Sequence, residues 1–276
     1  MKGGAAPPWR PVGRLLALLV VSFLALQLFF LARVALMRVV DPHSTSFQRS
    51  EAWRLVAQKN RLEWSQHWAD YSHISNHLKR AVIASEDAGF AEHSGVEWDA
   101  LESAWERNQK AEAKVERINA AIEKRAARKA AQRGAHAAPA VPAPPPKPVH
   151  HVQPKIVGGS TITQQLAKNL FLDSERSFLR KGQEFAITFM LESLLSKQRI
   201  LEIYLNSVEW GEGVFGADAA AHHYFHVDAA ALGTSAAARL AVMLPAPKRF
   251  EKRPGSPYVV GRAGTVMARM GAVELP

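Results

Sequence analysis

An 18-residue run, Leu15 to Ala32, whose only polar members are Ser22 and Gln27, constrains this chain before any other feature does. It approaches the roughly 20 apolar residues that a helix needs to cross a bilayer. Lys2, Arg10 and Arg14 precede it. A cleaved leader is the competing reading, but Phe29-Phe30-Leu31-Ala32-Arg33-Val34 lacks a clean small-x-small cleavage pattern after the apolar core. The expectation is a retained, single-pass anchor over residues 15–37, a cytoplasmic N-terminus over 1–14, and a globular part facing outward. Arg33 and Arg38 on the far side weaken the charge asymmetry behind that orientation. The absence of cysteine is compatible with an oxidising compartment without requiring one.

With 276 residues the chain has room for one sizeable core plus appendages, and no repeat period is visible. A formal charge of +10 would ordinarily raise nucleic acid as a partner, so the position of the charge matters. Residues 1–38 carry five cations and no acid, and residues 106–155 hold eleven Lys and Arg against four Glu. The remainder is close to neutral. A basic anchor and a basic insertion suit an anionic lipid surface better than a nucleic-acid groove.

Ser50 to Leu78 holds Trp53, Trp64, Trp68 and Tyr71 at irregular, mostly helical spacing, which fits helices or a membrane-proximal collar. His77 to Ala84 reads as a helix leading into Glu86. Trp98 to Arg133, rich in Ala, Glu, Lys and Arg, reads as a solvated helix with a favourable Glu106–Lys110 pair. Beyond Gly134 the run Ala-Pro-Ala-Val-Pro-Ala-Pro-Pro-Pro-Lys-Pro should be an extended linker. Helical patterns return at Ile162 to Leu172, Phe178 to Ser196, Lys197 to Leu205, Ala217 to Phe225 and Ser235 to Leu244, where Pro245 and Pro247 close the last one. No convincing period of two occurs, so the domain should be mainly α-helical.

Three polar blocks carry the chemistry. Glu86 and Asp87 are consecutive, so on a helix they point about 100° apart and cannot share one task. One can face a cleft while the other orients backbone; alternatively, Asp87 is a cap and Glu86 a surface acid. Phe90, His93 and Gly95 follow in fixed order. At Gly158 to Gln165, two glycines allow close backbone approach and Ser160, Thr161, Thr163, Gln164 and Gln165 supply sugar- or phosphate-binding groups at a helix start, though Ser160 or Thr161 could be no more than a cap. In Arg180-Lys181-Gly182-Gln183-Glu184, Arg180 and Glu184 share a helix face. A structural salt bridge is the default there; Ile187, Thr188 and Leu191 would desolvate the acid while the cations favour its ionised form. Gly211 to Gly216 has a glycine spacing reminiscent of a nucleotide loop but not the P-loop pattern, and the histidine pairs lack metal-ligand spacing, so nucleotide and structural zinc sites are rejected.

In order, these segments resemble the glycosyltransferase family 51 domain, most closely its monofunctional, membrane-anchored form. Glu86-Asp87-x-x-Phe90-x-x-His93-x-Gly95 is similar to that family's first motif. Gly158 to Gln165 with Lys168-Asn169 resembles the second, and Arg180-Lys181-x-x-Glu184 the third. Ile200-Leu201-Glu202-x-Tyr204-Leu205-Asn206, followed by Gly211, Gly216 and Tyr224-Phe225, resembles the fourth. The resemblance covers about residues 75–105 and 156–250. It implies a lysozyme-like helical catalytic domain with a smaller membrane-proximal lobe, spanning 45–276 and interrupted by the basic, Pro/Ala-rich insertion at about 110–154.

The reaction it implies is polymerisation of lipid II into glycan strands, with β-1,4 linkage, inversion at the anomeric carbon and release of polyprenyl pyrophosphate. Glu86 would be the general base, and Glu184, the other catalytic residue, would handle the donor's pyrophosphate with Lys168, Arg176 and Arg180, directly or through a divalent metal. Asp87, Phe90, His93, Ser160, Thr161, Gln164, Gln165, Asn169, Lys181 and Asn206 complete the substrate-binding set implied by the motifs. No cofactor is required; a divalent metal, Mg2+ or Mn2+, is allowed at the pyrophosphate. The implied location is the cell inner membrane with the catalytic domain periplasmic. Partners are lipid II, the growing strand and the membrane, no nucleic acid, and, as the resemblance allows, cell-wall synthesis or division proteins.

Three departures stand against the family pattern: Ala88 and Gly89 inside the first motif, Ala236 where the fifth motif usually has Glu, and the long insertion, which is expected to be disordered and dispensable for chemistry. No Ser-x-x-Lys or Lys-Thr-Gly occurs, so no transpeptidase module is expected. Two other readings stay open, a lysozyme-like glycan hydrolase and an inactive membrane scaffold.

Overall fold

The computed structural model describes residues 9–135, 152, 158–172 and 177–276, with side chains from 12 to 128 and from 152 onward within those ranges. It divides into two compact units, Met1–Val96 with Thr161–Pro276, and Glu97–Ser160. Eleven helices and three very short strands are present among the described residues.

In the first unit, α1 (Trp9–Leu36) holds the apolar run, and its segment Val12–Leu36 is long and apolar enough to cross a membrane. Only 6% of that span is buried, which separates it from a core helix. The exception lies at its C-terminal end, where Phe30, Val34 and Met37 recur at helical spacing and join the core. Phe30 meets Phe171 edge-to-face at 5.3 Å. The amides of Gln27 and Gln183 exchange two hydrogen bonds, at 2.9 and 3.0 Å.

Helix α2 (Ser46–Lys59) starts on a Thr45/Gln48 capping box. After β1 (Ser65–Gln66), α3 (Asn76–Glu86) buries Leu78, Ala81, Val82, Ile83 and Ala84. It packs with α9 (Thr234–Met243) and α11 (Pro257–Met270). The alanines at 237, 238 and 241 let these helices approach closely, and α11 offers the stripe Val259, Ala263, Val266, Met270. Each fully buried Val or Met on such a stripe stabilises by about 1.5–3 kcal/mol.

Helices α5 (Ile162–Phe171), α6 (Phe178–Leu194) and α7 (Lys197–Ser207) form the second layer of this core, with α7 buried along most of its length. Then come β2 (Glu209–Gly211), β3 (Val214–Phe215), α8 (Ala217–Phe225) and the single turn α10 (Pro247–Phe250). Strand β3 pairs antiparallel with β2 across a bulge and parallel with β1. These strands correct the expectation of no period-two structure: at two or three residues each they are too short to leave an alternation in the sequence. The glycine-rich segment at 211–216 belongs to this hairpin. Helix α11 was not anticipated, since Gly261, Gly264 and the Val259-Val260 pair depress helix propensity.

The second unit is α4 (Trp98–Ala135), a 38-residue helix, with its return segment. Lys110 pairs with Glu106 at 3.2 Å as the spacing predicts. Residues 110–135 of the anticipated disordered insertion are therefore helical, as their Ala, Glu, Lys and Arg content favours. The proline-rich part, 136–151, lies outside the described residues. The Asn119 amide bonds both backbone groups of Val152, and a Cβ on Gly159 would fall 2.9 Å from Ala104 Cβ, so Val152 and Gly159 each lie against α4.

Candidate active site

Glu86 is the last residue of α3, and Asp87 leaves the helix with φ −163° and ψ 76°. That change of backbone direction separates the two acids. Asp87 is buried: its Oδ2 accepts the Ile162 N–H at 2.9 Å, an otherwise orphaned donor at the start of α5. Its Oδ1 lies 2.8 Å from His93 Nε2. Because the Gly95 N–H donates to His93 Nδ1 at 3.1 Å, the neutral ring carries its proton on Nε2 and donates to Asp87. Gly95 itself sits at φ +89°, where a Cβ would meet Glu192 Cγ at 2.7 Å, so glycine is required there. Its carbonyl accepts from Thr161 Oγ1 at 2.6 Å.

The first and second polar blocks are thus bolted together by Asp87 and Thr161. Thr161 also forms a capping box with Gln164, whose amide side chain is spent on that task at its oxygen. Asp87, His93, Thr161 and Gln164 therefore build the site from behind. Phe90 is fully buried beneath the Lys197 ammonium, 4.6 Å from its ring centroid, and is packing. Asn206 is buried with its amide bonded to both backbone groups of Ala69 and to Glu202 O, so it braces α7 instead of lining the site. Ser160 belongs to the end of the second unit. Arg176 lies outside the described residues.

The carboxylate of Glu86 is half-buried and accepts the Gln165 Nε2–H at 3.0 Å. Burial raises its pKa, the Gln165 bond works against that, and the neighbouring Asp87 charge adds to it. Tyr204, fully buried on α7, donates to Gln165 Oε1 at 2.9 Å. This bond orients the amide so that its N–H side faces Glu86. Burial, then the charges of Glu86 and Asp87, push the phenol far above its ordinary range, so it stays a donor.

Gln165 is also one wall of a cavity of about 410 Å³ bordered by Lys168 and Asn169 of α5, Arg180 of α6 and Glu209 of β2. The α5 helix explains this sidedness: Ile162, Leu166, Ala167 and Leu170 are buried, which turns 165, 168 and 169 to the other face. Much of the Lys168 side chain is open, yet surrounding protein atoms desolvate its ammonium and lower its pKa; Glu184 opposes this, and Arg180 and Lys181 reinforce it.

Glu184 is 3% exposed and packs over Ile187, Thr188 and Leu191, as expected. Arg180 Nη1 lies 3.1 Å from its Oε2 and Lys181 Nζ 2.5 Å from its Oε1. The default salt bridge exists, doubled by Lys181. With both oxygens engaged by cations, a divalent ion at Glu184 would have to displace one of them, and the donor set does not fit a metal as it stands.

Two residues at the site were missed. Tyr204 belongs to the segment Ile200 to Asn206, but nothing in its spacing says that its hydroxyl turns toward Gln165. Glu209, 6% exposed, has its carboxyl raised to about 7, first by burial, with Lys248 opposing and the Glu51 and Glu251 charges adding. In the sequence it is one more acid of a glutamate-rich stretch.

The family model described as Transglycosylase matches residues 54–120 and 149–271. The chain is 47% identical over 260 residues to a biosynthetic peptidoglycan transglycosylase of Paraburkholderia xenovorans, covering 94% of this chain and 91% of the relative. It is 47% identical over 283 residues to one of Cupriavidus pinatubonensis, covering 99% and 94%, and 44% identical over 279 residues to one of Burkholderia thailandensis, covering 100% and 93%. The mainly helical fold, the joined first and second motifs and these matches agree: the chain belongs to the transglycosylase family.

Proposed function

We infer that this chain is a peptidoglycan glycosyltransferase of cell-wall synthesis in which Glu86 acts as general base on the acceptor sugar while Lys168 and Arg180 neutralise the departing diphosphate. The observation that carries this reading is the hydrogen bond from Gln165 to Glu86, because Gln165 lines the cavity that Lys168, Asn169 and Arg180 share. A base and a cationic leaving-group site are thereby linked through one side chain.

In the proposed step the acceptor's 4-hydroxyl gives its proton to Glu86 Oε as its oxygen bonds the donor's anomeric carbon. The bond from that carbon to the phosphate oxygen breaks on the opposite face, and the electron pair leaves with the polyprenyl diphosphate. Inversion follows from that geometry. A carboxyl whose pKa is raised by burial is a stronger base than an exposed one. Lys168 and Arg180, held near Glu184, provide charge positioned before the reaction begins.

The substrate class is a lipid-linked disaccharide, and the anchor fits it. Residues Phe30, Val34 and Met37 of α1 are part of the core and Gln27 bonds Gln183 on α6, so loss of α1 as a cleaved leader would open the core. We place the helix in the cell inner membrane, with the N-terminus cytoplasmic and the catalytic domain periplasmic. A glycan hydrolase would make no use of the cations around the cavity, and a scaffold would make no use of a half-buried acid bonded to a cavity-lining amide.

Incubation with labelled lipid-linked precursor and, separately, with finished cell wall tests the reading. Polymer from the precursor and no soluble fragments from the wall are expected. Fragments from the wall with no polymer would overturn it in favour of hydrolysis.

A further inference from the structure

Among the residues around the cavity, Glu209 has no part in the step just described. We propose that Glu209 is a specificity-determining residue of this transferase, hydrogen-bonding a hydroxyl or N-acetyl group of the saccharide that occupies the cavity with Lys168 and Arg180. The assignment rests on the glycosyltransferase reading and names what holds the neutral part of its substrate.

Three observations carry it. Glu209 borders the same cavity as Gln165, Lys168 and Arg180, although it comes from a different element, β2. It is 6% exposed, yet its Oε1 has no hydrogen-bond partner, an arrangement that native interiors usually avoid. The nearby Lys248 ammonium, 3.3 Å away, contributes charge without hydrogen-bond geometry and sits closer to Glu51, at 2.6 Å. A buried acceptor on a cavity wall, held only by an off-line ammonium that it shares with Glu51, is the arrangement that a ligand hydroxyl or amide N–H would complete.

The chemistry is complementary to that of the cations. Lys168 and Arg180 recognise negative charge and offer only donors, whereas sugar hydroxyl and acetamido groups require an acceptor as well. The groups facing Glu209 set its protonation: Glu51 of α2, Lys248 of α10, Glu251 just beyond α10, and Tyr224 of α8, whose phenol is itself pushed up by burial and by these acids. With its carboxyl at about 7, Glu209 is shared near neutral pH between a form that both donates and accepts and a form that only accepts. The protonated form also avoids repelling an anionic diphosphate in the same cavity. Substrate affinity should therefore weaken as pH rises through about 7.

Steady-state polymerisation of labelled lipid-linked disaccharide-pentapeptide by the full-length, detergent-solubilised chain tests this, comparing wild type, Glu209→Ala and Glu209→Gln from about pH 6 to about pH 8. For Glu209→Ala, KM is expected to rise about 10-fold with little change in kcat, the loss of one buried hydrogen bond from a carboxyl. For Glu209→Gln, which keeps a donor and an acceptor, KM should stay within about 3-fold of wild type at the acid end and lose its upward drift with pH. A purely structural role would lower Tm and leave KM alone.

An unchanged KM in Glu209→Ala, or a fall in kcat at constant KM, would overturn the assignment. Should the alanine variant not fold, a Glu209→Gln protein whose KM drifts with pH as wild type does overturns it equally. Wild type that forms no polymer at all would remove the glycosyltransferase reading and this assignment with it; wild-type polymerisation matched by both variants removes the assignment alone.

Discussion

At the scale of single residues the site depends on side chains that aim other side chains. Glu86 cannot choose the orientation of Gln165; Tyr204 does, by donating to Gln165 Oε1. Tyr204→Phe fills the same buried space but frees the amide to turn its oxygen toward Glu86, which would repel the carboxylate. Its kcat is expected to fall about 5-fold with KM nearly unchanged, the effect of roughly 1 kcal/mol from one neutral hydrogen bond. Steady-state polymerisation kinetics check it, and a KM effect without a kcat effect would assign Tyr204 to binding. That Glu86 and Asp87 cannot share one task is legible in the sequence, but which acid does which is not, because the separation comes from Asp87 leaving the helix and not from two helical neighbours diverging. The tasks of Phe90 and Asn206 are not legible either, because both motifs name residue types without saying that one packs under Lys197 and the other braces Ala69.

At the scale of elements, α5 concentrates the site because its start is fixed twice. The Thr161/Gln164 box caps it, and Asp87 accepts from Ile162 N. Thr161→Ala removes both the cap and the bond to Gly95 O, and should cost about 1–3 kcal/mol of stability. Thermal denaturation reads this as a lower Tm, and polymerisation measured well below that Tm should fall as well, since Gln165, Lys168 and Asn169 ride on the same helix. Helices with a strong apolar stripe, such as α5 and α6, were readable to within a residue or two. The helix α11 and the strands were not, the first because glycines dilute its propensity and the second because two- and three-residue strands leave no period to detect.

At the scale of the whole molecule, the anchor and the insertion differ in kind. The C-terminal end of α1 enters the core through Phe30, Val34 and Met37. In the α4 unit, by contrast, Val152 lies against Asn119 and Gly159 against Ala104, so shortening it asks for only a brief closure. Deletion of residues 110–154 is expected to leave polymerisation in detergent within a few-fold of wild type; abolished activity in a folded deletion variant would show that the long helix takes part in chemistry or substrate handling. The membrane span and the basic insertion are both evident from composition, and so is the helix over 98–133 from its Ala, Glu, Lys and Arg; what the structure corrects is the expectation of disorder over 110–135.

The central claim is that one carboxylate takes the acceptor's proton while cations linked to it through Gln165 hold the leaving diphosphate. Its most direct test is the initial rate of polymer formation from labelled lipid-linked precursor by wild type and Glu86→Gln, with Tm measured on the same samples. The account predicts a rate lower by about 10³-fold at an unchanged Tm, the usual contribution of a general base. A Glu86→Gln protein that polymerises at the wild-type rate would contradict it.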